Sequence, residues 1–415
     1  MRKTLNVYLF DRLAGRLTKE DNEELNFVYD ETYLSTAKAL ALSISLPLRT
    51  EPYTDPLTRP FFSGLLPEDM ARIRLAQFLR ISEGDIFGLL AAVGGECAGA
   101  LSFYPEEQGT PNLSEDGFEL LTDERLFHII SMVHNRPLMA GEHGVRLSLA
   151  GVQDKLAVCL IDNQIALAKG NFPTSHILKP KIHELDATVH NEIYCMTLAK
   201  RIGLNVPHTE IRSIFKTSYY LIERYDRQLD STGAIQRLHQ EDFCQALSIS
   251  PNLKYEANGG PGIADCIHLI RNHSSQPSFD IPELLQIIIF NFLIGNADAH
   301  GKNFSLLYKN GIPSLAPFYD LLSTTIYPRL SKKFAMKINN KDESSALTLD
   351  DWLSLSTNSA PAKRLLINQL KTMAENVKQH SSILLDESLQ KNMPRMILSK
   401  IHKTIEKRSQ QILKY

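Results

Sequence analysis

Residues that could carry out phosphoryl transfer are concentrated in one stretch, FLIGNADAHGKNFSLLY, residues 292–308. Asp298 and Asn303 stand five residues apart, the spacing of the catalytic base and the metal-binding asparagine in protein-kinase catalytic loops. Asp320 follows a predicted hairpin, where a kinase uses a second acid to hold magnesium. Mg²⁺ prefers oxygen ligands and keeps several waters, so one carboxylate and one amide suffice beside ATP phosphates. The stretch therefore predicts a nucleotide and magnesium site at the end of a buried helix.

The same stretch admits a plainer interpretation, an Asx-rich turn that caps the helix, with Asp320 as an unrelated loop acid. The D-x-x-x-x-N pattern is short, and taken alone it leaves the two interpretations about equal. The position of Asp320 after a hairpin favours the chemical one. His300 could hydrogen-bond a phosphate or a metal-bound water, whereas zinc is disfavoured because no other His or Cys stands at ligand spacing nearby.

Three further segments were candidates for nucleotide contact. Lys179 ends the apolar run SHILKP, where its ammonium could reach phosphates, although most lysines lie at the surface. Glu223, Arg224 and Tyr225, in LIERYDR, stand where a sheet-rich half gives way to a helical half, which suits an adenine-binding hinge or an ion-paired strand end. Residues 148–155, SLAGVQDK, match neither G-x-G-x-x-G nor the Walker pattern, and alone they predict a turn.

Strand-forming segments dominate the first 228 residues. They are short apolar or alternating runs rich in β-branched residues, and turn residues separate them. Asp162-Asn163 predicts a hairpin turn. The predicted strands are TLNVYLF and ALSISLPL and, from residue 145, VRLSLAG, KLAVCLID, IALAK, SHILKP, HTEIRSIF and SYYLIERYD.

Helices dominate from residue 239 onward, apart from a hairpin predicted at Asn310-Gly311. Two earlier helices are predicted in PEDMARIRLAQFL and in NEIYCMTLAKRIG, which Gly203 closes. A sheet-rich half joined to a mostly helical half predicts an α+β fold. The cleft between such halves is a common place for a nucleotide.

Length and linker signals suggest a division of the chain. At 415 residues it is long enough for two or three packed units. The segment YPEEQGTPNLSEDG, residues 104–117, is rich in Pro, Gly, Asn and acids and predicts a linker. We expect an α/β unit at 1–104, a linker and connecting helix at 105–144, a sheet-rich lobe at 145–228, and a helical lobe with the catalytic and metal-binding loops at 229–415.

Composition indicates a cytoplasmic protein with no membrane span. The net charge of -2 gives no general attraction to nucleic acid or membranes. Five scattered cysteines suggest reduced thiols, and the longest apolar run, LLQIIIFNFLIG, is shorter than the ~20 residues that a span needs. The basic C-terminal stretch from Lys391 onward favours a solvated helix face over a nucleic-acid contact.

Several segments together resemble the HipA family, the kinase toxins of bacterial toxin–antitoxin modules. The resemblance covers nearly the whole chain, and the segments occur in the family's order. Those near the N-terminus are LSISLPLR, FFSGLLPE and GDIFGLLAAVGGECAGAL. Those that resemble the kinase core are SLAGVQDKLAV, HILKP, NEIYCMTLAKRIGL, LIERYDR, LHQEDFCQAL, KYEANGGPG, IGNADAHGKNFSLL and LAPFYDLLS.

The resemblance implies a protein serine/threonine kinase with a two-lobed fold distantly like that of phosphatidylinositol kinases. Asp298 would be the catalytic base, Asn303 and Asp320 would hold Mg²⁺, and Ser148 would be autophosphorylated to inactivate the enzyme. Ala299 stands where Gly is expected, but it is small, so activity should not suffer. A flexible phosphate-binding loop would comprise Ala150, Gly151, Val152, Gln153, Asp154 and Lys155, and further ATP contacts would come from Lys179, Glu223, Arg224, Tyr225, His300, Lys302 and Tyr319.

The resemblance also implies partners. A small helix-turn-helix antitoxin, HipB-like, would bind the chain, and DNA would be contacted indirectly through it. The protein substrate would be a translation component such as an aminoacyl-tRNA synthetase, whose phosphorylation inhibits growth and is linked to persistence.

Two other functions compete with this one. A small-molecule kinase of the aminoglycoside or choline phosphotransferase type shares the D-x-H-x-x-N pattern, but the N-terminal unit and SLAGVQDK argue against it. A catalytically silent, antitoxin-binding corepressor is the second, and the intact Asp298, Asn303 and Asp320 argue against that.

Overall fold

The structure, a computed structural model, describes residues 3–108, 117–182 and 184–415. Strands prevail before residue 243, and the three longest helices begin after residue 276, as the sequence predicts. The strands are β1 (Lys3–Leu9), β2 (Arg12–Lys19), β3 (Leu25–Tyr29), β4 (Leu101–Pro105), β5 (Gly117–Leu120), β6 (Leu156–Ile161), β7 (Gln164–Lys169), β8 (His176–Pro180), β9 (Thr209–Ile214), β10 (Thr217–Glu223), β11 (Arg227–Leu229), β12 (Ile235–Arg237), β13 (His239–Asp242), β14 (Ser305–Lys309) and β15 (Ile312–Leu315). The α-helices are α1 (Glu31–Leu34), α2 (Asp55–Ser63), α3 (Asp69–Leu79), α4 (Ile86–Val93), α5 (Asp123–Met132), α6 (Thr188–Arg201), α7 (Phe243–Ala246), α8 (Ile263–His273), α9 (Pro277–Ile294), α10 (Leu349–Leu353), α11 (Ala360–Gln390) and α12 (Arg395–Leu413).

The chain forms two compact units, each assembled from three separate segments. The first, here the sheet unit, comprises Met1–Pro180, Arg212–Asn252 and Ser305–Pro313. The second, here the helical unit, comprises Lys181–Ile211, Leu253–Phe304 and Ser314–Tyr415. These segments do not coincide with the division expected at residues 104, 144 and 228. That division assumed that units are continuous in sequence.

The sheet unit contains two larger sheets that share one core. The N-terminal region forms an antiparallel sheet of order β3-β2-β1-β4, and a second sheet has the order β5-β7-β6-β8-β10-β9. A single hydrophobic core contains Phe27 and Phe103 from the first sheet together with Leu156 and Leu221 from the second. Because burying each such side chain stabilises the fold by about 1.5–3 kcal/mol, the two sheets stabilise each other. A small sheet, β13-β14-β15, and the β11-β12 hairpin complete the strand pairings among the described residues.

The strand predicted in ALSISLPL is wrong. This segment, residues 41–48, contains only an isolated bridge between Ser43 and Leu46. Side chains satisfy the backbone groups there instead: the hydroxyl of Tyr29 accepts from the amide of Leu42 at 2.8 Å and donates to the carbonyl of Leu46 at 2.5 Å. The alternating pattern of ALSISLPL therefore does not lead to pairing with another strand.

VRLSLAG is likewise extended but outside any ladder. Leu147 makes a single bridge to Glu96, and Gly151 makes one to Pro67. The other predicted strands and the hairpins at residues 162–163 and 310–311 are present. Several strands were not predicted: β2, β3, β4, β5, β11, β12 and β13, the last with the polar sequence HQED. The linker expected at 104–117 falls mainly on residues 109–116, which lie outside the described ranges.

The helical unit is built around α9, which packs against α8, α11 and α12. By length and composition α9 could also cross a membrane, but more than half of it is buried inside the protein. A helix that is apolar on nearly every side is typical of a protein core.

The core helix α9 ends at Gly295, whose φ of +80° lies in the left-handed region that favours glycine. A Cβ there would lie 2.4 Å from Oγ1 of Thr325. The amide of Thr325 in turn donates to the carbonyl of Gly295 at 3.0 Å. Gly295 therefore ends the helix and leaves room for the segment that contains Thr325. Together these two effects set the position of the polar residues that follow Gly295.

Candidate active site

The amides in the polar stretch fix the backbone around Asp298. Nδ2 of Asn296 donates to Oδ1 of Asn291, on α9, at 3.0 Å, and Oδ1 of Asn296 accepts from the amide of Asp298 at 3.1 Å. The side chain of Asp298 itself is exposed. The helix end thus presents a carboxylate to solvent on a backbone that is held by buried groups.

Two further bonds hold Ala297, the residue before Asp298. Its amide donates to Oγ1 of Thr324 at 2.8 Å, and its carbonyl accepts from the amide of Ala335 at 2.9 Å. The hydroxyl of Tyr255 donates to Oδ1 of the Asp298 carboxylate at 2.7 Å. A preorganised backbone of this kind suits a general base, which must meet its proton at hydrogen-bond distance.

Asn303 and Asp320 lie side by side, as predicted. Nδ2 of Asn303 is 3.4 Å from Oδ2 of Asp320, and Oδ1 of Asn303 accepts from the amide of His300 at 3.2 Å. The carbonyl of Asp320 accepts from Nδ2 of Asn296 at 3.3 Å, so the two loops are joined. Asp320 has a φ of +54°, a conformation found in few residues other than glycine and often at functional sites.

This pair fits Mg²⁺ in its donor chemistry. A carboxylate and an amide supply hard oxygen atoms, and an amide oxygen has a second lone pair beside the one that His300 uses. In the part of the chain that the structure describes, no three His, Cys, Asp or Glu side chains cluster as metal ligands. Asn303 and Asp320 stay the predicted donors for Mg²⁺.

The other predicted ATP contacts of the helical unit lie in the same neighbourhood. His300 and Lys302 are buried, and Lys302 belongs to the helical turn Gly301–Asn303. The hydroxyl of Tyr319 donates to the carbonyl of Lys302 at 2.8 Å. The structure therefore brings Asp298, His300, Lys302, Asn303, Tyr319 and Asp320 together in one unit.

Within the sheet unit, Lys179 is not a surface lysine. It lies on β8 with only 4% of its surface exposed, and it pairs with Tyr220 of β10 across the ladder. Its Nζ is 5.6 Å from the centroid of the Tyr220 ring, within the range of a cation–π interaction. The surface alternative is excluded, and contact with phosphate stays a prediction.

The side chain of Arg224 forms ion pairs inside the sheet unit, as the second interpretation of LIERYDR predicts. Its guanidinium is buried and contacts Oδ2 of Asp226 at 2.7 Å and Oε1 of Glu96 at 3.1 Å. Its amide donates to the carbonyl of Ser175 at 2.9 Å. The guanidinium of Arg224 is therefore held in a buried ion pair, and the contact of this residue with ATP stays a prediction.

Glu96 is the centre of this buried cluster, and sequence analysis missed it. Burial acts to raise the pKa of its carboxyl, but Arg227, Arg237 and Arg224 outweigh burial and lower the pKa to about 2. Glu96 also accepts from the amide and hydroxyl of Thr174. No local pattern joins an acid in the N-terminal region to arginines more than a hundred residues later.

The other two residues predicted for the adenine-binding hinge, Glu223 and Tyr225, are less buried than Arg224. Glu223 is exposed at the end of β10, and Tyr225 is half-buried with its hydroxyl donating to Oε1 of Gln240. Both stay predicted ATP contacts.

Ser148 is completely buried, and its bonds lead to the N-terminal region. Its Oγ donates to the carbonyl of Leu65 at 2.7 Å, and its amide donates to the carbonyl of Glu96 at 2.8 Å. The amide of Glu68 donates to the carbonyl of Gly151 at 3.1 Å. The segment leading into the predicted phosphate loop is therefore hydrogen-bonded to residues 65, 68 and 96.

Hydrogen bonds and ion pairs also hold the predicted loop 150–155 in place. Asp154 contacts Nη2 of Arg74 at 2.6 Å and Nδ1 of His134 at 2.7 Å. Nζ of Lys155 donates to the carbonyl of Ala150 at 2.6 Å, so the loop closes on itself. Val152 is exposed at its tip, and Gln153 donates to the carbonyl of Pro180 at 3.1 Å.

Comparison with known proteins assigns the family. The family model of the HipA N-terminal domain matches residues 5–104, and that of the HipA-like C-terminal domain matches residues 147–381. The second match spans more than half of the chain. The chain belongs to the HipA family.

Individual relatives match over nearly their full length. A protein of Sinorhizobium fredii, Y4mE, named as a candidate kinase, is 40% identical over 93% of this chain and 93% of its own. The serine/threonine-protein kinase toxin HipA of Shewanella oneidensis is 30% identical over 91% of this chain and 88% of its own. A solved structure from Shewanella oneidensis MR-1, of a toxin–antitoxin complex of HipA, HipB and operator DNA, has a TM-score of 0.85 and 26% identity and covers 99% of this chain and 98% of that one.

Proposed function

We propose that this chain is an ATP- and Mg²⁺-dependent protein serine/threonine kinase that acts in the cytoplasm as a growth-inhibiting toxin. The observation that carries the proposal is the arrangement of Asp298, Asn303 and Asp320: an exposed carboxylate on a fixed backbone, followed later in the same unit by a paired amide and carboxylate. Family membership supports it, because the relative from Shewanella oneidensis is named a serine/threonine-protein kinase toxin.

In this proposal each residue has a chemical role. Asp298 accepts the proton of the substrate hydroxyl as that oxygen attacks the γ-phosphorus of ATP, whose bond to the β,γ-bridging oxygen breaks to release ADP. Asn303 and Asp320 hold Mg²⁺, which when bound neutralises charge on the phosphates. Lys179 contributes a cation to the phosphates. The remaining ATP contacts fall to the loop 150–155, the hinge side chains Glu223 and Tyr225, and His300, Lys302 and Tyr319.

Phosphate transfer to protein tests the function. Purified chain and its Asp298→Ala variant are incubated with labelled ATP, Mg²⁺ and a bacterial lysate. A protein band labelled by the wild type and not by the variant is expected, and its identification gives the substrate, for which an aminoacyl-tRNA synthetase is our proposal. Label confined to small molecules would favour the aminoglycoside or choline kinase type, and no label at all would favour the corepressor.

A HipB-like helix-turn-helix antitoxin is the proposed partner, with DNA bound through it. The support is the structure of the HipA, HipB and operator DNA complex from Shewanella oneidensis, one chain of which matches 99% of this chain. Expression of the chain alone is expected to slow growth, and co-expression of a matched antitoxin to restore it. Growth curves of induced and uninduced cells measure both, with Asp298→Ala as the inactive control. If induced and uninduced cells grew equally although the purified chain is an active kinase, the toxin assignment would be wrong.

Autophosphorylation at Ser148 is the proposed off switch. A phosphate adds about -1.5 to -2 charges and has no proton to donate at neutral pH. Oγ of Ser148 now donates to the carbonyl of Leu65 in a fully buried position, so the phosphorylated side chain would face a carbonyl oxygen without a hydrogen bond. We expect the segment to leave its place, the adjoining loop 150–155 to lose order, and ATP binding to fall with it.

Intact mass after incubation with Mg-ATP, peptide mapping and an ATP titration of the modified form test this switch. Ser213, exposed on β9, serves as an internal reference for unspecific labelling. Ser148→Asp should bind ATP weakly, whereas Ser148→Ala discriminates poorly because the hydroxyl also orders the segment. An unmodified Ser148, or a phosphorylated form that binds ATP normally, would contradict the switch.

A further inference from the structure

The predicted phosphate loop, residues 150–155, carries backbone donors that the fold does not use. The amides of Val152, Gln153 and Asp154 donate to no group among the residues that the structure describes. Consecutive amides of this kind are the donors with which loops bind phosphate. The amides can bind ATP only if the loop keeps a conformation that presents them, so the contacts that fix the loop decide how well it works.

The side chain of Asp154 ties the end of the loop to two other elements of the sheet unit. Its Oδ1 contacts Nη2 of Arg74, on α3, at 2.6 Å. Its Oδ2 lies 2.7 Å from Nδ1 of His134, which follows α5. A carboxylate can only accept a hydrogen bond, so the ring nitrogen of His134 donates in this contact. Both oxygen atoms of Asp154 are therefore held by side chains from outside the loop.

The contact between Arg74 and Asp154 is shielded from solvent. The exposed fractions of the two side chains are 19% and 16%. Salt screens a partly buried ion pair much less than an exposed one. Nε of Arg74 is itself buried and has no acceptor among the described residues, so the hydrogen bond to Asp154 matters for the solvation of this guanidinium. The ion pair can therefore restrict the loop.

The start of the loop is attached to the same region of the chain. The carbonyl of Gly151 accepts from the amide of Glu68 at 3.1 Å, and Oγ of Ser148 donates to the carbonyl of Leu65 at 2.7 Å. Residues 65–68 directly precede α3, which carries Arg74. The loop is thus held at its start by residues 65–68 and at its end by Arg74 and His134, and the unused amides lie between or at these attachments.

We propose that Arg74 and His134 are positioning residues for the phosphates of ATP: by holding the side chain of Asp154 they keep the loop in the conformation that presents its amides to the nucleotide. The inference rests on the proposed kinase function. Asp154 would then contact ATP through its amide, while Arg74 neutralises a carboxylate that would otherwise repel the phosphates. A loop that is already ordered binds without the cost of ordering it again.

Arg74→Met tests the proposal because it removes the charge and keeps the length of the side chain. If the loop then holds the binding conformation in about one molecule in ten, the Kd for Mg-ATP rises about tenfold. Adenosine has no phosphates, so its Kd should stay as in the wild type. Calorimetric titrations of the full chain with Mg-ATP and with adenosine measure both. A general loss of structure would weaken the two ligands alike.

Arg59→Met is the matched control. Arg59 lies on α2 in the same unit and pairs with Asp55 at 2.7 Å, so the variant also breaks an arginine–aspartate ion pair. Neither residue contacts the loop 150–155 in the described hydrogen bonds and ion pairs. Both titrations should therefore match those of the wild type. A melting scan establishes that each variant is folded at the temperature of the titration.

A double variant keeps the test decisive if Arg74→Met does not fold. Arg74→Met with Asp154→Asn removes both charges and leaves neither partner as an unpaired buried ion. If the two side chains act as a pair, its Kd for Mg-ATP should be no higher than that of Arg74→Met alone.

The outcomes separate this inference from the kinase function. A folded variant that binds Mg-ATP as well as the wild type or better, or that loses affinity for ATP and adenosine equally, overturns the positioning role and leaves the kinase function standing. A wild-type chain that binds no Mg-ATP overturns the kinase function itself.

Discussion

Asp298→Asn is expected to lower phosphate transfer by about 10²–10⁴-fold while leaving folding and ATP binding nearly unchanged. The substitution removes the proton acceptor and keeps the size of the side chain. The backbone at this position is held by Asn296, Thr324 and Ala335, none of which needs the carboxylate. Initial rates with labelled ATP, a melting scan and an ATP titration measure the three quantities.

Asp386→Asn is the matched control for that variant. Asp386 is an exposed acid on α11, in the same unit, so the change in net charge is identical. Its rate should equal that of the wild type. Comparable turnover in Asp298→Asn and Asp386→Asn would remove Asp298 from the role of base.

Asp320→Ala is expected to abolish most of the dependence of ATP binding on Mg²⁺, with an affinity loss of about 10–100-fold when Mg²⁺ is present. Asn303 alone is a poor magnesium site because a neutral amide supplies one weak ligand. Calorimetric titration with ATP, with and without Mg²⁺, measures the effect.

Asp320→Asn separates the metal contribution from the backbone contribution. The φ of +54° at this position suits Asp and Asn better than Ala, so the alanine variant also strains the loop. The asparagine variant keeps the conformation and removes the charge, and it should lose the same dependence on Mg²⁺. If both variants retained the wild-type dependence on Mg²⁺, the metal would have to be held elsewhere.

The parts of the site that sequence could predict are local. Asp298 and Asn303 lie in one loop, so their spacing alone indicates that they are neighbours. Asp320 follows a two-stranded hairpin, which returns the chain close to where it started, and the two side chains do lie side by side. The left-handed turn at Asn310-Gly311 that makes this possible is visible in the sequence.

The parts that sequence could not predict depend on distant residues. Tyr255 meets Asp298 across 43 positions, and Glu96 meets Arg224 across 128. Neither pair has a pattern in hydrophobicity or spacing, because tertiary packing alone brings the partners together. The same limitation explains ALSISLPL, whose alternation suits a strand but whose hydrogen bonds go to side chains such as Tyr29.

The segmented make-up of the sheet unit has a consequence for how the chain is synthesised. In the described sheets the only ladder partner of β13 is β14, so the strand is left without one until the ribosome has passed Lys309. Until then the nascent chain carries an open strand edge, which is a site for aggregation and for chaperone binding. We therefore expect a chain truncated before Ser305, which lacks β14, to be degraded by proteases and not to form a partly active enzyme.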